Sequence, residues 1–297
     1  MDLEAHRAEL TGYCYRMLGS GFEAEDAVQE TLIKAWQGRF DPDRGTARAW
    51  LFRIATNVCI DMLRGTQRRA RAMDLGPAVE PGSPLGEPLP GERWLWPSPT
   101  GGDPADVTIS RESVRLAFLA ALQHLPPRQR ATLLLRDVLG WSAAEVAGLL
   151  ESSVASVNSA LQRARASMPA AGLPYQEVDE ELLGRYVDAF ERHDVELLVS
   201  LLHEDATMTM PPFGWWLDGR GAIAAVLRVA DAPCGGARLV RAGVGMYGQY
   251  VDGRAFGLLA LETAGGLVTG STTYLDPELF RLFGLPMSFE AGLRTNG

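Results

Sequence analysis

Hydrophobic positions fall into three blocks along the chain, and the first two carry a helical period. In 21–36, Ala24, Val28, Leu32 and Ala35 line one side of a predicted helix, and Asp26, Gln29, Glu30 and Ile33 line another. In 47–64, Leu51, Ile54, Ala55, Val58 and Met62 form an apolar side. Arg53, Asn57, Asp61, Arg64 and Arg68 face away from it at steps of 4, 4, 3 and 4. In 129–168, Ser142 with Glu145 three residues on reads as a capping box. Val146, Leu149 and Leu150 are expected to meet Val154, Val157 and Leu161 of the next helix, a helix-turn-helix pattern. Its turn at Glu151-Ser152 lacks the usual glycine, so a strain of about 1 kcal/mol is expected there.

The third block, about 175–290, mixes periods. Leu182, Leu183, Tyr186, Val187, Phe190, Leu197, Leu198, Leu201 and Leu202 recur as on helices, and Ala206–Met210 alternates as a strand. Gly221–Ala230 reads as a short helix. The runs 237–247, 249–262 and 267–275 are β-rich, with Asp252-Gly253 as a hairpin turn. The pattern is α+β with a curved antiparallel sheet. Between the blocks, 72–110 holds eight prolines and six glycines in 39 positions, which no helix or strand tolerates. It reads as a linker, and Trp94 and Trp96 within it are candidates to dock on a neighbouring domain. A second break is Pro169–Pro174. The expected division is 1–71, the linker 72–110, 111–168 and 175–290.

Charge changes this picture more than composition does. The 297 residues carry a net charge of −9, which by itself argues against nucleic acid, but the balance is +6 over 34–71 and +3 over 111–170, against −5, −5 and −8 elsewhere. Two basic islands in an acidic chain read either as solvated helix faces or as local surfaces for a polyanion. Arginine suits phosphate, and Asn57 or Asp61 can read base edges. Trp50, just past the polar loop 41–46, is either a core residue or a platform for an unpaired base. Cys14, Cys59 and Cys234 form no metal-ligand spacing and read as free, buried thiols, and the four histidines are too scattered for a metal site. No cofactor is expected. No apolar run approaches a membrane span, and Met1–Leu10 has no signal-like apolar stretch, so a cytoplasmic chain without membrane contact is expected.

The runs EAEDAVQETLIKAW (23–36), ARAWLFRIATNVCIDMLR (47–64) and LPPRQRATLLLRDVLGWSAAEVAGLL followed by SVASVNSALQRAR (125–165) together resemble the extracytoplasmic-function group of bacterial sigma-70 factors. The resemblance implies a multidomain chain: two all-α sigma domains, region 2 and a region 4 helix-turn-helix, followed by an α+β domain. Segment 175–290 resembles more loosely the SnoaL-like branch of the NTF2-like fold, a cone of helices on a curved sheet. The implied function is binding to core RNA polymerase, through its β′ and β subunits, and promoter-directed initiation of transcription. By the same resemblance Asp26, Gln29, Glu30, Ile33 and Trp36 would dock on the polymerase. Trp50, Asn57, Asp61 and Arg64 would read the −10 element, with Arg53, Arg68, Arg69 and Arg71 on its backbone. Ser152, Ser153, Ser156, Ser159, Gln162 and Arg163 would face the −35 major groove. Asn158 and Gln162 stand where Lys, Arg or His is common in the family, which weakens the expected phosphate contribution. The fused domain would regulate in cis, with no obligatory separate anti-sigma factor.

Two rival readings stand beside this one. In the first, the C-terminal domain is an enzyme or a ligand sensor, with a candidate pocket of Met208, Met210, Phe213, Trp215, Trp216, Tyr247 and Phe256 and with His203, Asp205 and Asp218 at its mouth. Ordinary core packing explains the same residues. In the second, the chain is a helix-turn-helix regulator that binds DNA without polymerase, which leaves the 26–33 stripe and the Trp50 loop unexplained.

Overall fold

The computed structural model describes residues 3–65, 69–99, 115–168, 179–229 and 237–289. Arg68, Cys234, the 100–110 part of the expected linker and the 169–174 break lie outside them. Two compact units result. One holds the chain up to Arg69, the stretch from Leu95 and the helices from Arg115; the other holds Ala70–Trp94 and the C-terminal domain.

The first unit is helical: α1 Arg7–Leu18, α2 Gly21–Gln37, α3 Ala47–Met62, α4 Arg115–Gln123, α5 Pro127–Leu133, α6 Ala143–Leu149 and α7 Val154–Ser167. Short polar side chains set the starts. Ser20, Thr46 and Ser153 accept from the backbone N–H groups of Glu23, Ala49 and Ser156 at 3.4, 3.1 and 3.1 Å. Ser142 and Glu145 close the expected capping box. Each such cap stabilises its helix by about 1 kcal/mol. Helix α1 stops at Gly19 (φ 73°), where a Cβ would sit 2.8 Å from Leu95 Cδ2. Only glycine fits both the left-handed backbone and that approach.

The segments 1–69 and 115–168 share one core. Leu10, Met17, Val28, Leu51 and Phe52 join Leu119, Leu134, Val146 and Leu161 in a single buried cluster. The Phe52 and Trp141 rings lie 5.4 Å apart, and the Arg48 guanidinium, held by Glu9, sits 5.3 and 4.8 Å from their centroids. Arg130 is buried and donates to the Met17 carbonyl at the end of α1, to Gln123 Oε1 at 2.7 Å and to the Leu125 carbonyl at 3.2 Å. Burial lowers its pKa to about 10. The carbonyl-rich end of a helix is a favourable place for that cation.

In the second unit, helices α8 Glu180–Glu191, α9 Val195–Ser200 and α10 Arg220–Leu227 accompany a six-stranded sheet. Its strands are β1 Leu202–Thr209, β2 Trp216–Asp218, β3 Arg238–Gly243, β4 Met246–Val251, β5 Arg254–Ala264 and β6 Leu267–Tyr274, in the order β2-β1-β6-β5-β4-β3. All pairs are antiparallel except β1 with β6. Leu182, Tyr186, Leu198 and Ile223 from the helices pack on Leu217, Tyr247, Leu259, Leu261 and Val268 of the sheet. Helix α11, Glu278–Leu282, places Phe280 edge-on against Tyr250, 5.0 Å between centroids. The expected runs 237–247 and 249–262 are in fact three strands, because the chain turns at 244–245 as well as at Asp252-Gly253. Strand β1 also begins at Leu202 rather than Ala206, directly after α9.

The proline-rich segment is not loose along its described length. Val79 N donates to Trp216 O at 2.9 Å and Leu89 N to Pro212 O at 2.8 Å. In return, the Trp216 and Trp215 indoles donate to the carbonyls of Gly76 (2.9 Å) and Ser83 (3.1 Å). Val79 packs against the core of the domain. Residues 76–89 therefore form a strap on the C-terminal domain, with its backbone groups paired in place of a sheet ladder. The Trp-Leu-Trp run divides: Trp94 is fully buried in this unit, whereas Leu95 joins the core of the other and Trp96 packs there on Phe22, its N–H donating to the Gly19 carbonyl at 3.0 Å.

Candidate nucleic-acid interface

Helix α2 buries Ala24, Val28 and Ala35 and leaves Asp26, Gln29 and Glu30 exposed. On the same face Ile33 is 55% and Trp36 81% exposed, the two most exposed large apolar side chains of this helix. Glu30 pairs with Lys34 at 2.7 Å, a surface i,i+4 contact that stabilises little. Ile33 and Trp36 thus make an exposed apolar pair beside acids, the kind of surface patch that marks interaction sites.

Helix α3 buries Leu51, Ala55 and Val58 fully and Ile54 and Met62 partly. Phe52, Thr56 and Cys59 are buried as well, a second side that meets Trp141 and Tyr13. The remaining face carries Arg53, half-buried, and Asn57, Asp61 and Arg64, all exposed. Asp61 and Arg64 pair at 3.0 Å. Trp50 is half-buried beside Phe40, ring centroids 5.5 Å apart and tilted by 45°. Its ring edge lies where a Cβ on Gly38 would come within 3.2 Å. One side of the indole is thus fixed by packing and the other faces a cleft of about 390 Å³ shared with Arg39, Arg53 and Glu145. Phe40 and Arg39 were absent from the sequence expectation; their position immediately before the polar loop was the available signal.

Two of the expected backbone contacts are engaged within the chain. Arg69 is only 7% exposed and pairs with Glu23, forty-six residues away, so it serves the interior of the unit. Arg71 pairs with Asp74 at 3.2 Å and belongs to the second unit.

In the helix-turn-helix, Val146, Leu149, Leu150, Val157 and Leu161 are buried as expected. Val154 is not; as the first residue of α7 it is 44% exposed. Glu151 takes the turn with φ 49°. Ser152, Ser153, Ser156, Asn158, Ser159, Gln162 and Arg163 are all exposed on α7 and the turn before it. Arg165 is committed to Asp137 at 2.7 Å, whereas Arg163 makes no ion pair among the described residues. The face is polar, with a single uncommitted cation.

The candidate pocket residues of the C-terminal domain divide between its core and its margin. Trp215 and Tyr247 are buried in the domain core and Met208, Met210 and Phe213 pack partly buried against it, while Trp216 and Phe256 are outside that cluster. Trp216 turns to the strap, and Phe256 sits where the β4–β5 register shifts. Asp205 and Asp218 are exposed and His203 is half-exposed, its Nδ1 accepting from the Asp205 N–H at 3.1 Å. Among the described residues no three His, Cys, Asp or Glu side chains cluster to hold a metal, and no helix is long and apolar enough to cross a membrane.

Family models match in the same order as these surfaces: sigma-70 region 2 over residues 3–69, sigma-70 region 4 over 115–168 and a SnoaL-like domain over 183–254. The ECF RNA polymerase sigma factor SigG of Mycobacterium tuberculosis is 42% identical over 309 residues, spanning 96% of this chain and 83% of that protein. SigJ of the same organism is 32% identical over 218 residues, 70% of this chain and 63% of that one. The crystal structure of SigJ superposes with a TM-score of 0.60 at 25% identity, covering 96% of this chain and 98% of that one.

Proposed function

The chain belongs to the extracytoplasmic-function group of sigma-70 factors, promoter-recognition subunits of RNA polymerase, with a SnoaL-like domain fused behind region 4, and on that premise we propose how its surfaces divide the work. The α2 face of Asp26, Gln29, Glu30, Ile33 and Trp36 docks on the β′ subunit of core polymerase. Trp50 receives an unstacked base of the −10 element, Arg53 and Arg64 hold phosphates beside it, and Asn57 and Asp61 read base edges. The outer face of α7 enters the −35 major groove, where Arg163 carries most of the phosphate attraction and the serines with Asn158 and Gln162 carry hydrogen bonding. No bond is made or broken by this chain; opening of the promoter draws on the binding free energy of trapped bases.

The observation that carries this reading is the pairing of a water-exposed Trp36 and Ile33 on α2 with a half-buried Trp50 and Arg53 on α3, in one helical bundle. Acids and apolar side chains suit a protein partner; an aromatic with arginines suits single-stranded nucleic acid. The two faces together describe a protein that needs both partners at once. Reconstituted run-off transcription tests it. Trp36→Ala, at an exposed site, leaves the fold within about 0.5 kcal/mol and weakens assembly with core polymerase about tenfold or more. Trp50→Ala leaves assembly intact and removes promoter opening. Full activity of both variants overturns the assignment.

Regulation in cis, without an obligatory separate anti-sigma factor, is supported by the strap. Residues 76–89, between the two sigma regions in sequence, are hydrogen-bonded to Trp215, Trp216 and Pro212 of the fused domain. Whatever loosens that domain from the strap alters the tether between regions 2 and 4. Deleting 171–297 is expected to change promoter-dependent transcription, and an unchanged rate contradicts the proposal.

A further inference from the structure

The cleft beside Trp50 has two walls from different regions of the chain. Arg39, Phe40, Trp50 and Arg53 of region 2 form one, and Glu145 and Gly148 of helix α6 in region 4 lie on the other. Its volume of about 390 Å³ falls within the range of small-molecule sites, roughly 300–1,000 Å³. Phe40 and Trp50 make a tilted aromatic corner. Neither Arg39 nor Arg53 has a hydrogen-bond or ion-pair partner among the described residues, although both line the same space. The acids of the cleft are differently placed. Asp41 caps its own turn through the Asp43 N–H, and Glu145 accepts from the Ser142 N–H with Oε2 at 2.7 Å, which holds its carboxyl below the ordinary range and so ionised. Engaged by the Ser142 side chain and N–H, the carboxylate keeps lone pairs for a further donor.

Two open guanidinium groups, an aromatic face and an ionised carboxylate ask for a ligand that is planar, anionic at one end and a hydrogen-bond donor at the other. We propose that the cleft between the Trp50 loop and helix α6 binds a single free nucleotide, its base on Trp50 and Phe40, its phosphate on Arg39 and Arg53, and its exocyclic amine toward Glu145. The inference rests on the promoter reading only in that Trp50 and Arg53 serve both ligands. What is new is the second wall. A ligand that touches region 2 and region 4 together stabilises their closed arrangement, and by linkage opposes any state in which α6 has left the cleft. Bases without an exocyclic amine lack the donor for Glu145, so uracil is the poor ligand of the set.

Calorimetric titration of the full chain with AMP, GMP, CMP and UMP tests this. The expected result is saturable binding of AMP, about tenfold weaker binding of UMP, and a rise in melting temperature with AMP. Arg39→Ser, at an exposed residue, is expected to weaken AMP about tenfold, the loss of one charge-assisted contact. Gly148→Leu introduces a side chain where a Cβ meets nothing within 4 Å, so the helix folds, and it is expected to fill the cleft and weaken AMP likewise. No binding of any nucleotide, equal affinity for UMP, or AMP binding indifferent to Gly148→Leu overturns the proposal. A single-stranded promoter oligonucleotide titrated in parallel, in the presence of core polymerase, separates the two readings. If only the oligonucleotide binds, and needs Trp50, the free-nucleotide site falls and the promoter assignment stands. If neither ligand needs Trp50, both fall.

Discussion

Glu262 is a carboxyl group held inside the sheet domain. It lies on β5 opposite Gly270, where a Cβ would come within 3.2 Å of its carboxylate and 3.4 Å of Thr207 Oγ1. Burial pushes its pKa up to about 7, and the positive charge of Arg71, at the start of the 70–94 segment, acts in the other direction. The folded domain thus holds a proton that the unfolded chain releases near 4.5. This contribution to stability is complete below pH 4.5, declines as pH rises toward 7 and is absent above it. Glu262→Gln is therefore expected to raise the melting temperature at pH 8, by a stabilisation of up to about 3 kcal/mol, and to change little at pH 4.5. Equal shifts at both pH values contradict this. At this scale the sequence was legible where periodicity decides and opaque where a distant partner does. Ile33 could be placed on an exposed stripe from spacing and Trp36 from the family resemblance, whereas the burial of Arg69 depends on Glu23, which local pattern cannot reveal.

Among the elements, the helix-turn-helix carries its strain at a known position. Glu151 adopts φ 49°, a conformation costing a non-glycine residue roughly 1 kcal/mol, and its side chain is exposed. Glu151→Gly is expected to stabilise the first unit by about 0.5–1 kcal/mol, read as a higher denaturation midpoint with unchanged slope. A lower midpoint contradicts the assignment of strain to this turn. The strap gives the second test. Trp216→Phe keeps the ring but removes the indole donor to Gly76 O, and hydrogen exchange at the Val79 amide is expected to quicken while the amides of β5 stay protected. The turn could be read in advance because capping and hydrophobic spacing bracket it. The strap could not, since proline and glycine content announces only the absence of regular structure and is silent about which carbonyls Trp215 and Trp216 will meet. The β3–β4 boundary was missed for a related reason: Gly243-Val244-Gly245 continues the apolar alternation through a turn.

Across the first unit as a whole, size decides the mechanism. A compact unit of about 150 residues has a radius of gyration near 15 Å. Elements named −10 and −35 are about 25 base pairs apart, roughly 85 Å of duplex at about 3.4 Å per pair. The closed unit, in which Phe52 packs at a tilt against Trp141 and Arg48 spans both regions, cannot reach both elements. Regions 2 and 4 must part when polymerase and promoter are engaged, and the shared core around Leu51, Phe52 and Trp141 is what the partners must outweigh. The sequence marked out both candidate DNA-reading helices but left 1–71 and 111–168 as separate segments, because shared burial between distant blocks leaves no periodic trace. The most direct test is the distance between spin labels at Ala5 and Arg128, both exposed and outside the proposed DNA faces, in the free chain and in the assembled holoenzyme on promoter DNA. A short distance in the free chain that lengthens by several tens of ångströms on assembly is the expected result. An unchanged short distance in a transcribing complex contradicts the account.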